Sequence, residues 1–520
     1  MTAAPTPPDR AGAPTGSVSL GDAWVIVTGS IRGWLAATPP GRFTVRIVAR
    51  FGLPRLILGL SMLIWFLIFA LYVYRRHDRI GSLAFDLGIF DQSIWLISKG
   101  DGFNTVRGME TFGHHGSVGF LLLAPFYWLG GGPQLINLIQ VGLVILGAVP
   151  VFMLVSRLLN NEWYALIPAL AFMTHFSNQW MLQETFHPEV MAITPFLFAY
   201  LAAQRQRWVP YAVLMVFAVS WKEDVALAAL MLGVVLLWRG HRRAGLWTIA
   251  ASAAWFLFVA QVLIPSLSPE GDFYGQFFGG LGDSAGGVIW TGLTNPTEIY
   301  SRLEQADFLG YVRDLGLPFA FVWLLSPLGL LVGLPQLLIN LLSEQAFTWD
   351  VRLHYAALPV LGFTIATIEG IGRIRRQAVL RFTLGAMAAL ALSTVVAFGI
   401  SPFGTHFRDG IWKIDNNPKQ EIFEVALATP GPHDSVSATY NLVPQLTHRR
   451  NIYMFPNPWR AAYWGVRDEN MHDPATVEWL VLDRPLLGPE DAAVLEEILA
   501  TEDWQIVFEE QAIMVAQRRP

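Results

Sequence analysis

The sequence predicts an all-α polytopic membrane bundle of about eleven transmembrane helices, followed by a small C-terminal α/β domain. Three observations point there. Of 520 residues, 53% are apolar and only 14% are charged, whereas a soluble domain sits nearer a quarter charged. Apolar runs recur from Leu56 to Ile400. After Ser401-Pro402 the chain becomes charged and alternates short helix and strand patterns.

Composition also narrows the function classes. A net charge of −5 over such a chain gives no support for nucleic-acid binding. The absence of cysteine excludes disulfides, thiolate metal sites and a Cys nucleophile. The 20 Trp and 13 Tyr suit aromatic belts at the membrane interfaces, and equally suit stacking on sugar rings.

Residues 1–50 open with "MTAAPTPPDRAGAPTG" and read as a disordered, basic cytoplasmic tail. No cleavable signal is expected, since the first apolar run starts late and lacks a small-residue cleavage site. That run, Leu56–Tyr74, is long enough to cross about 30 Å of hydrocarbon. Arg32, Arg42, Arg46, Arg50 and Arg55 precede it, which keeps the N-terminus cytoplasmic.

Within the membrane domain, residues 51–401, the segment 75–133 becomes one large external loop. Its run Val118–Leu129 is too short to span and reads as a juxtamembrane or re-entrant helix. Further runs lie near Leu135–Leu158, Trp163–Met181, Val190–Ala203, Trp208–Trp221, Val225–Trp238, Leu246–Ile264, Ala356–Ile371 and Phe382–Ile400. Leu317–Leu342 fits one tilted helix or two short ones broken at Ser326-Pro327. Two passes put Arg373, Arg375 and Arg376 on the same side as Arg157, Arg205, Arg207, Arg239, Arg242 and Arg243. The positive-inside rule therefore favours eleven spans, with the C-terminus outside.

This topology sorts polar residues by side. Inner connections hold little beyond arginine. Outer ones hold "FDLGIFDQ" (Phe85–Gln92), "FGHHGS" (Phe112–Ser117), "QETFHPE" (Gln183–Glu189), "WKED" (Trp221–Asp224) and "TWDVRLHY" (Thr348–Tyr355). Loops that only join helices have no reason to be so one-sided. The "WKED" charges sit between apolar runs with almost no linker, where each costs about 2–3 kcal/mol at a helix centre and less near the interface. Pairing Lys222 with Glu223 or Asp224 would lower that cost.

Each motif has a plain structural reading beside the chemical one. Asp86 fits an N-cap for a helix beginning at Leu87 as well as it fits a carboxylate facing a cavity. Asp91 lies five residues on, about 140° around a regular helix, so both cannot enter one site from a single helix. If Asp86 faces the cavity, Asp91 reads as a structural or supporting residue, and it is kept in the binding set in that capacity. His114 and His115 read as interfacial polar residues or as phosphate contacts. Pro188 and Glu189 suit a helix start, with His187 beside them. Lys222, Glu223 and Asp224 read as a structural ion pair or as a binding group. Asp350 and His354, four residues apart and followed by Tyr355, give the weakest signal. "GGLGDSAGG" (Gly279–Gly287) lacks a preceding strand and fingerprint spacing, and reads as a mobile loop or lid.

The C-terminal domain, residues 402–520, is expected outside the membrane. "KQEIFEVALAT" reads as a helix, "SVSATY" and "NIYMF" as strands, and "NLVPQL" as a short helix. "VEWLVLD" reads as a buried strand, "GPEDAAVLEEILA" as a helix and "WQIVFEEQAIMVAQR" as a terminal hairpin. It carries no nucleotide-binding glycine pattern and fits an accessory or substrate-facing cap.

Acids, histidines and a lysine at one membrane face suit a substrate whose reactive head sits among the headgroups and whose tail stays in lipid. A channel or secondary transporter would instead show midplane polar groups and a repeat relating its halves. Outside the cell no nucleotide sugar is supplied, so a transferred sugar arrives on a lipid phosphate. Transfer needs a carboxylate to take the acceptor proton, and cations, hydrogen-bond donors or a metal for the departing phosphate.

Together "FDLGIFDQSIW", the "HHGS" loop, "WKED", "LPQLLINLLS" and "HYAALPVL" resemble the bacterial multi-spanning family DUF2079, over roughly residues 56 to 500. That family is grouped with the GT-C glycosyltransferases, which use polyprenyl-phosphate-linked sugars. The resemblance implies a GT-C-like bundle in a bacterial plasma membrane, with Asp86 in the place of the catalytic base. It sets His114 and His115 near the donor phosphate, although the family's basic residue beside prolines is absent. It offers Glu184 and Glu189 for the second acidic motif, without a clean Asp-x-Asp.

The expected activity is sugar transfer from a polyprenyl-phosphate donor to an envelope glycan, lipid or protein at the external face. Asp86 is the expected base. The expected binding set is Asp91, His114, His115, His187, Glu189, Lys222, Glu223, Asp224, His354 and Tyr355. No cofactor is demanded, and a divalent metal is a candidate. A flippase for lipid-linked glycans and a non-catalytic envelope-assembly scaffold are the alternatives.

Overall fold

The computed structural model describes residues 50, 52–268, 277–282, 285–408, 417–462 and 469–519. The expected N-terminal tail thus lies almost wholly outside the described residues. So does part of the glycine-rich stretch, whose described remainder is a helical turn at Gly279–Leu281 and a helix starting at Ala285. Two units are distinguished, Met1–Leu60 and Ser61–Pro520; the packing and the site below belong to the second.

Helix α1 (Leu53–Asp78) leads into a turn and α2 (Ile89–Ser98). A two-residue ribbon, β1 (Phe103–Asn104) with β2 (Met109–Glu110), precedes the short α3 (Phe120–Trp128). Then follow α4 (Pro133–Leu159), α5 (Glu162–Met173), α6 (Phe176–Glu184), α7 (Pro188–Gln204), α8 (Trp208–Val219), α9 (Val225–Trp238) and α10 (Arg242–Leu267). After α11 (Ala285–Thr294), α12 (Pro296–Gln305), α13 (Phe308–Gly316) and α14 (Leu334–Leu342), the bundle ends with α15 (His354–Arg373) and α16 (Gln377–Phe398).

Among the described residues five helices, α1, α4, α10, α15 and α16, are long and apolar enough to cross a bilayer, and α5, α8 and α9 are shorter apolar helices. The chain is a mostly helical, multi-pass membrane protein. The count of eleven is not reached by length alone, because several runs are cut by local chemistry. Asn160 takes a left-handed conformation (φ 47°) that ends α4. The Asn161 side chain then accepts the Trp163 and Tyr164 N–H groups and starts α5. The run Trp163–Met181 breaks at Thr174-His175 into α5 and α6. Leu317–Leu342 is no continuous helix: it breaks at Ser326-Pro327 into short turns and α14. Val118–Leu129 forms the nine-residue α3, too short to span.

Helices α7 and α15 are buried along almost their whole length. Close helix contact elsewhere uses small residues: a Cβ on Gly233 of α9 would stand 3.0 Å from the Gly245 carbonyl of α10.

The C-terminal part adds α17 (Gln420–Ala428), β3 (Val436–Ala438), β4 (Ile452–Met454), β5 (Trp479–Asp483), α18 (Pro489–Ala500), β6 (Trp504–Glu510) and β7 (Ile513–Arg518). One sheet runs β4-β3-β5-β7-β6, parallel across β4-β3-β5 and antiparallel beyond. Tyr453, Leu480, Leu482 and Met514 of the sheet pack with Leu495 and Ile498 of α18 in a core.

Candidate functional site

Asp86 lies in the turn between α1 and α2, with φ 65° and ψ −87°. This is a rare and strained γ-turn conformation for a non-glycine residue, held only where the surroundings over-determine it. The capping expectation is not met. Gly88 stands at the N-cap of α2 without a side-chain bond, and the Asp86 carboxylate turns to His187.

The "QETFHPE" turn carries a second strain. Thr185 sits at φ 114°, ψ −168°, unusual for a β-branched residue. Gln140, buried in α4, pins it: its Oε1 accepts the His187 backbone N–H at 2.6 Å, and its Nε2 donates to the Thr185 carbonyl at 2.6 Å. The sequence signal for Gln140 was an amide inside an otherwise apolar run, where polar groups are costly unless used.

So positioned, His187 Nε2 lies 3.3 Å from Asp86 Oδ2, and Nδ1 lies 3.1 Å from the Thr185 carbonyl. Its ring stacks on His354, centroids 3.8 Å apart and planes 17° apart. His354 Nδ1 is 3.0 Å from Glu184 Oε1, and its backbone N–H donates to Glu184 Oε2 at 2.8 Å. His354 Nε2 is 3.6 Å from Glu189 Oε1, which also accepts from Lys222 Nζ at 2.7 Å. Lys222 Nζ lies 3.8 Å from Asp224 Oδ2 and 5.9 Å from the Tyr355 ring centroid. The expected pairing of Lys222 with Asp224 is present, and a closer acid joins it: Glu189, 33 residues earlier.

Glu223 points the other way. It takes His115 Nδ1 at 2.9 Å and the Gly116 N–H at 2.9 Å, joining the first loop to the α8–α9 turn. His114 is buried and stacks on Phe90 at 6.2 Å, while Phe90 also meets His187 edge-on at 6.1 Å. Phe90 forms a wall that the sequence did not single out.

Asp91 is not brought to this cluster. Fully buried, it accepts from Tyr127 Oη and Thr447 Oγ1, each at 2.5 Å, and faces His448 Nε2 at 3.3 Å. Of the two expectations for Asp91, membership of the binding set is corrected and the structural role stands: its oxygens are engaged by α3 and the C-terminal domain. Asp350 is taken up by Arg352 at 2.6 Å.

Charge sets the protonation states. Burial alone would discharge His187, but the carboxylates of Asp86, Glu184 and Glu189 outweigh it and push its pKa up to about 9. Burial likewise works against the Asp86 anion, and His187, with His354, holds it below the usual carboxylate range. Burial, with Glu189 and Glu223 nearby, raises Asp224 to about 7 despite Lys222. Burial, with His115, Arg107 and Lys222 beside it, keeps His114 well below the usual histidine range.

Glu184, His187 and His354 form a buried cluster compatible with a divalent metal, their ligand atoms within 4.8 Å of one another. The donor chemistry fits. His187 Nδ1 faces a carbonyl, so once the imidazolium proton toward Asp86 is given up the remaining one stays on Nδ1 and Nε2 becomes a ligand. Two imidazoles and a carboxylate suit zinc or a neighbouring transition metal. A tetrahedral zinc site would draw the ligand atoms in to about 3.4 Å.

Two crystal structures of ArnT from Cupriavidus metallidurans share this fold. The undecaprenyl-phosphate-bound form aligns with TM-score 0.51 and 13% identity, over 89% of this chain and 97% of that one. The apo form gives 0.53 and 13%, over 90% and 98%. The likeness is one of fold alone. No curated relative matches by sequence. Residues 76–511 match the family described as "Predicted membrane protein (DUF2079)", and the chain belongs to that family.

Proposed function

We propose that the protein is a membrane-embedded glycosyltransferase that moves a sugar from a polyprenyl-phosphate donor to an envelope acceptor at the outer membrane face. One observation carries the reading. Asp86, His187, His354, Glu189 and Lys222, from four separate connections, form a continuous chain of contacts with no link longer than 3.8 Å. The undecaprenyl phosphate in one ArnT structure supports a donor of that class for a chain of like fold.

In this reading Asp86 takes the acceptor hydroxyl proton as the oxygen attacks the anomeric carbon, the sugar–phosphate bond breaks, and polyprenyl phosphate leaves. His187 orients the Asp86 carboxylate and keeps it ionised. Lys222 faces the negative charge that develops on the leaving phosphate, and Glu189 fixes its ammonium. His114, His115, Glu223, Asp224 and Tyr355 shape the surrounding pocket. A divalent ion held by Glu184, His187 and His354 would take the place of the His187 proton and supply Lewis-acid stabilisation of that phosphate. The proposed topology is eleven spans, with the C-terminal domain outside the plasma membrane.

The test is transfer from a radiolabelled polyprenyl-phosphate sugar by purified protein. Asp86→Asn should abolish it while expression and membrane insertion stay normal. Turnover at the wild-type rate by that variant would remove Asp86 from the role. Because the chain has no cysteine, a single Arg519→Cys reports topology: labelling by an impermeant maleimide on intact cells is expected.

A further inference from the structure

A cavity of about 920 Å³ opens between α8 and α10, beside the exposed apolar residues Val216 and Trp247. It arises because the two helices each pack elsewhere. Helix α10 lies against α9 through the Gly233–Gly245 approach, and α8 follows α7. Between α8 and α10 run two hydrogen bonds, Tyr211 Oη with Thr248 Oγ1 at 2.7 Å and Trp255 Nε1 to the Val219 carbonyl at 3.2 Å. Helix α8 has 12 residues, so the groove it borders runs about 18 Å at 1.5 Å per residue. That length suits a hydrocarbon chain.

The two ends differ. One ends at Val118 and Ser220, next to the "WKED" turn. The other, beyond the full length of α9, is rimmed by Gln206, Trp208, His241, Arg242 and Arg243. Arg242 and Arg243 are exposed, and the Trp208 indole meets the His241 ring edge-on at 5.3 Å. No aspartate or glutamate lines the groove among the described residues. An apolar slot in a bilayer fills with a lipid chain. A mouth with two arginines, a histidine and no acid selects an anionic head, and an indole beside it sits well at headgroup depth.

We propose that this groove is a binding site for one anionic phospholipid, drawn from the leaflet opposite the acid–histidine cluster. Its headgroup rests on Arg242 and Arg243, and an acyl chain lies between Tyr211, Met215 and Ala251. The lipid wedges α8 against α10 and so supports the turn that carries Lys222. The proposal is independent of the transferase reading, since it concerns the far end of α9 and needs no turnover.

The test is native mass spectrometry of the full chain in detergent, titrated with phosphatidylglycerol, phosphatidylcholine or undecaprenyl phosphate. One phosphatidylglycerol per chain should survive mild activation, at least tenfold more than phosphatidylcholine. Arg242→Gln/Arg243→Gln should cut that adduct fivefold or more at unchanged elution. Ala251→Trp, which fills the slot and leaves the arginines, should cut it as well. Equal retention of both phospholipids, or an adduct untouched by either variant, overturns the site. Displacement of phosphatidylglycerol by equimolar undecaprenyl phosphate also overturns it and gives the groove to a prenyl chain.

Discussion

The backbone N–H of Ala84 donates to the Tyr440 carbonyl at 2.7 Å, tying the turn that carries Asp86 to the C-terminal domain. The same seam continues on the other side of Asp86. A Cβ on Gly88 would stand 3.3 Å from Val443. Asp91 accepts from Thr447. Thr105 Oγ1 donates to the Ile452 carbonyl at 2.7 Å and accepts its N–H at 3.0 Å. The strained conformation of Asp86 is therefore held from both sides by a domain that sequence reasoning treats as an accessory cap.

Loosening this seam should relax the turn. Asp91→Ala strips the Tyr127 hydroxyl of its acceptor and Thr447 of its short one, and each buried loss costs about 1–3 kcal/mol. The expected outcome is a lower Tm with faster amide exchange at residues 84–92 and 440–448 together. Faster exchange confined to the helix of Asp91 would break the proposed link.

The Lys222–Glu189 pair is buried on both sides, with side chains 9% and 4% exposed. Removing one partner of such a pair costs about 3–5 kcal/mol, because the other charge stays buried alone. Lys222→Met should therefore destabilise strongly. Lys222→Met with Glu189→Gln should recover more than half of the loss. A double-mutant cycle on thermal unfolding in detergent measures the coupling, and additive losses would show that the pair is not coupled.

Asp224 gives a pH dependence with a defined sign. Its folded pKa, about 7, stands above the ordinary 3.8. Between these values the folded state holds a proton that the unfolded state has lost, so stability from this group falls as pH rises from about 4 to about 7. Asp224→Asn carries no such term. The stability difference should shift steadily in favour of the variant across that window and level off above pH 8. A difference independent of pH would contradict the raised pKa.

The sequence singled out many residues of the candidate site and less of its wiring. Asp86, His187, Glu189, Lys222 and His354 were legible because charges beside apolar runs are costly and fell on one face. Their pairings were legible only in part, since Lys222 meets its neighbour Asp224 but reaches a closer acid, Glu189, across two helices. Helix geometry already separated Asp91 from Asp86, but only the fold shows its oxygens turned to Tyr127 and Thr447. The break offered at Ser326-Pro327 is present, whereas the one at Thr174-His175 fell inside a run whose hydropathy is continuous and was not legible. In the C-terminal domain, strands bounded by turns were readable by alternation. The parallel pairing of β3 with both β4 and β5 was not, because register between distant strands is set by packing.

His187 cannot hold a metal and an imidazolium proton at Nε2 together. With its pKa near 9, the metal-free protein carries that proton at neutral pH, shared toward Asp86. Metal loading must expel it. Chelator-treated protein should take up about one equivalent of zinc or manganese by elemental analysis. Glu184→Gln and His354→Ala should each weaken binding by tenfold or more. Calorimetry in buffers of different ionisation heat should show about one proton released per ion at pH 7, and none from His187→Ala. Stoichiometric binding that survives both Glu184→Gln and His354→Ala would place the ion elsewhere and leave the cluster as a purely proton-bearing network.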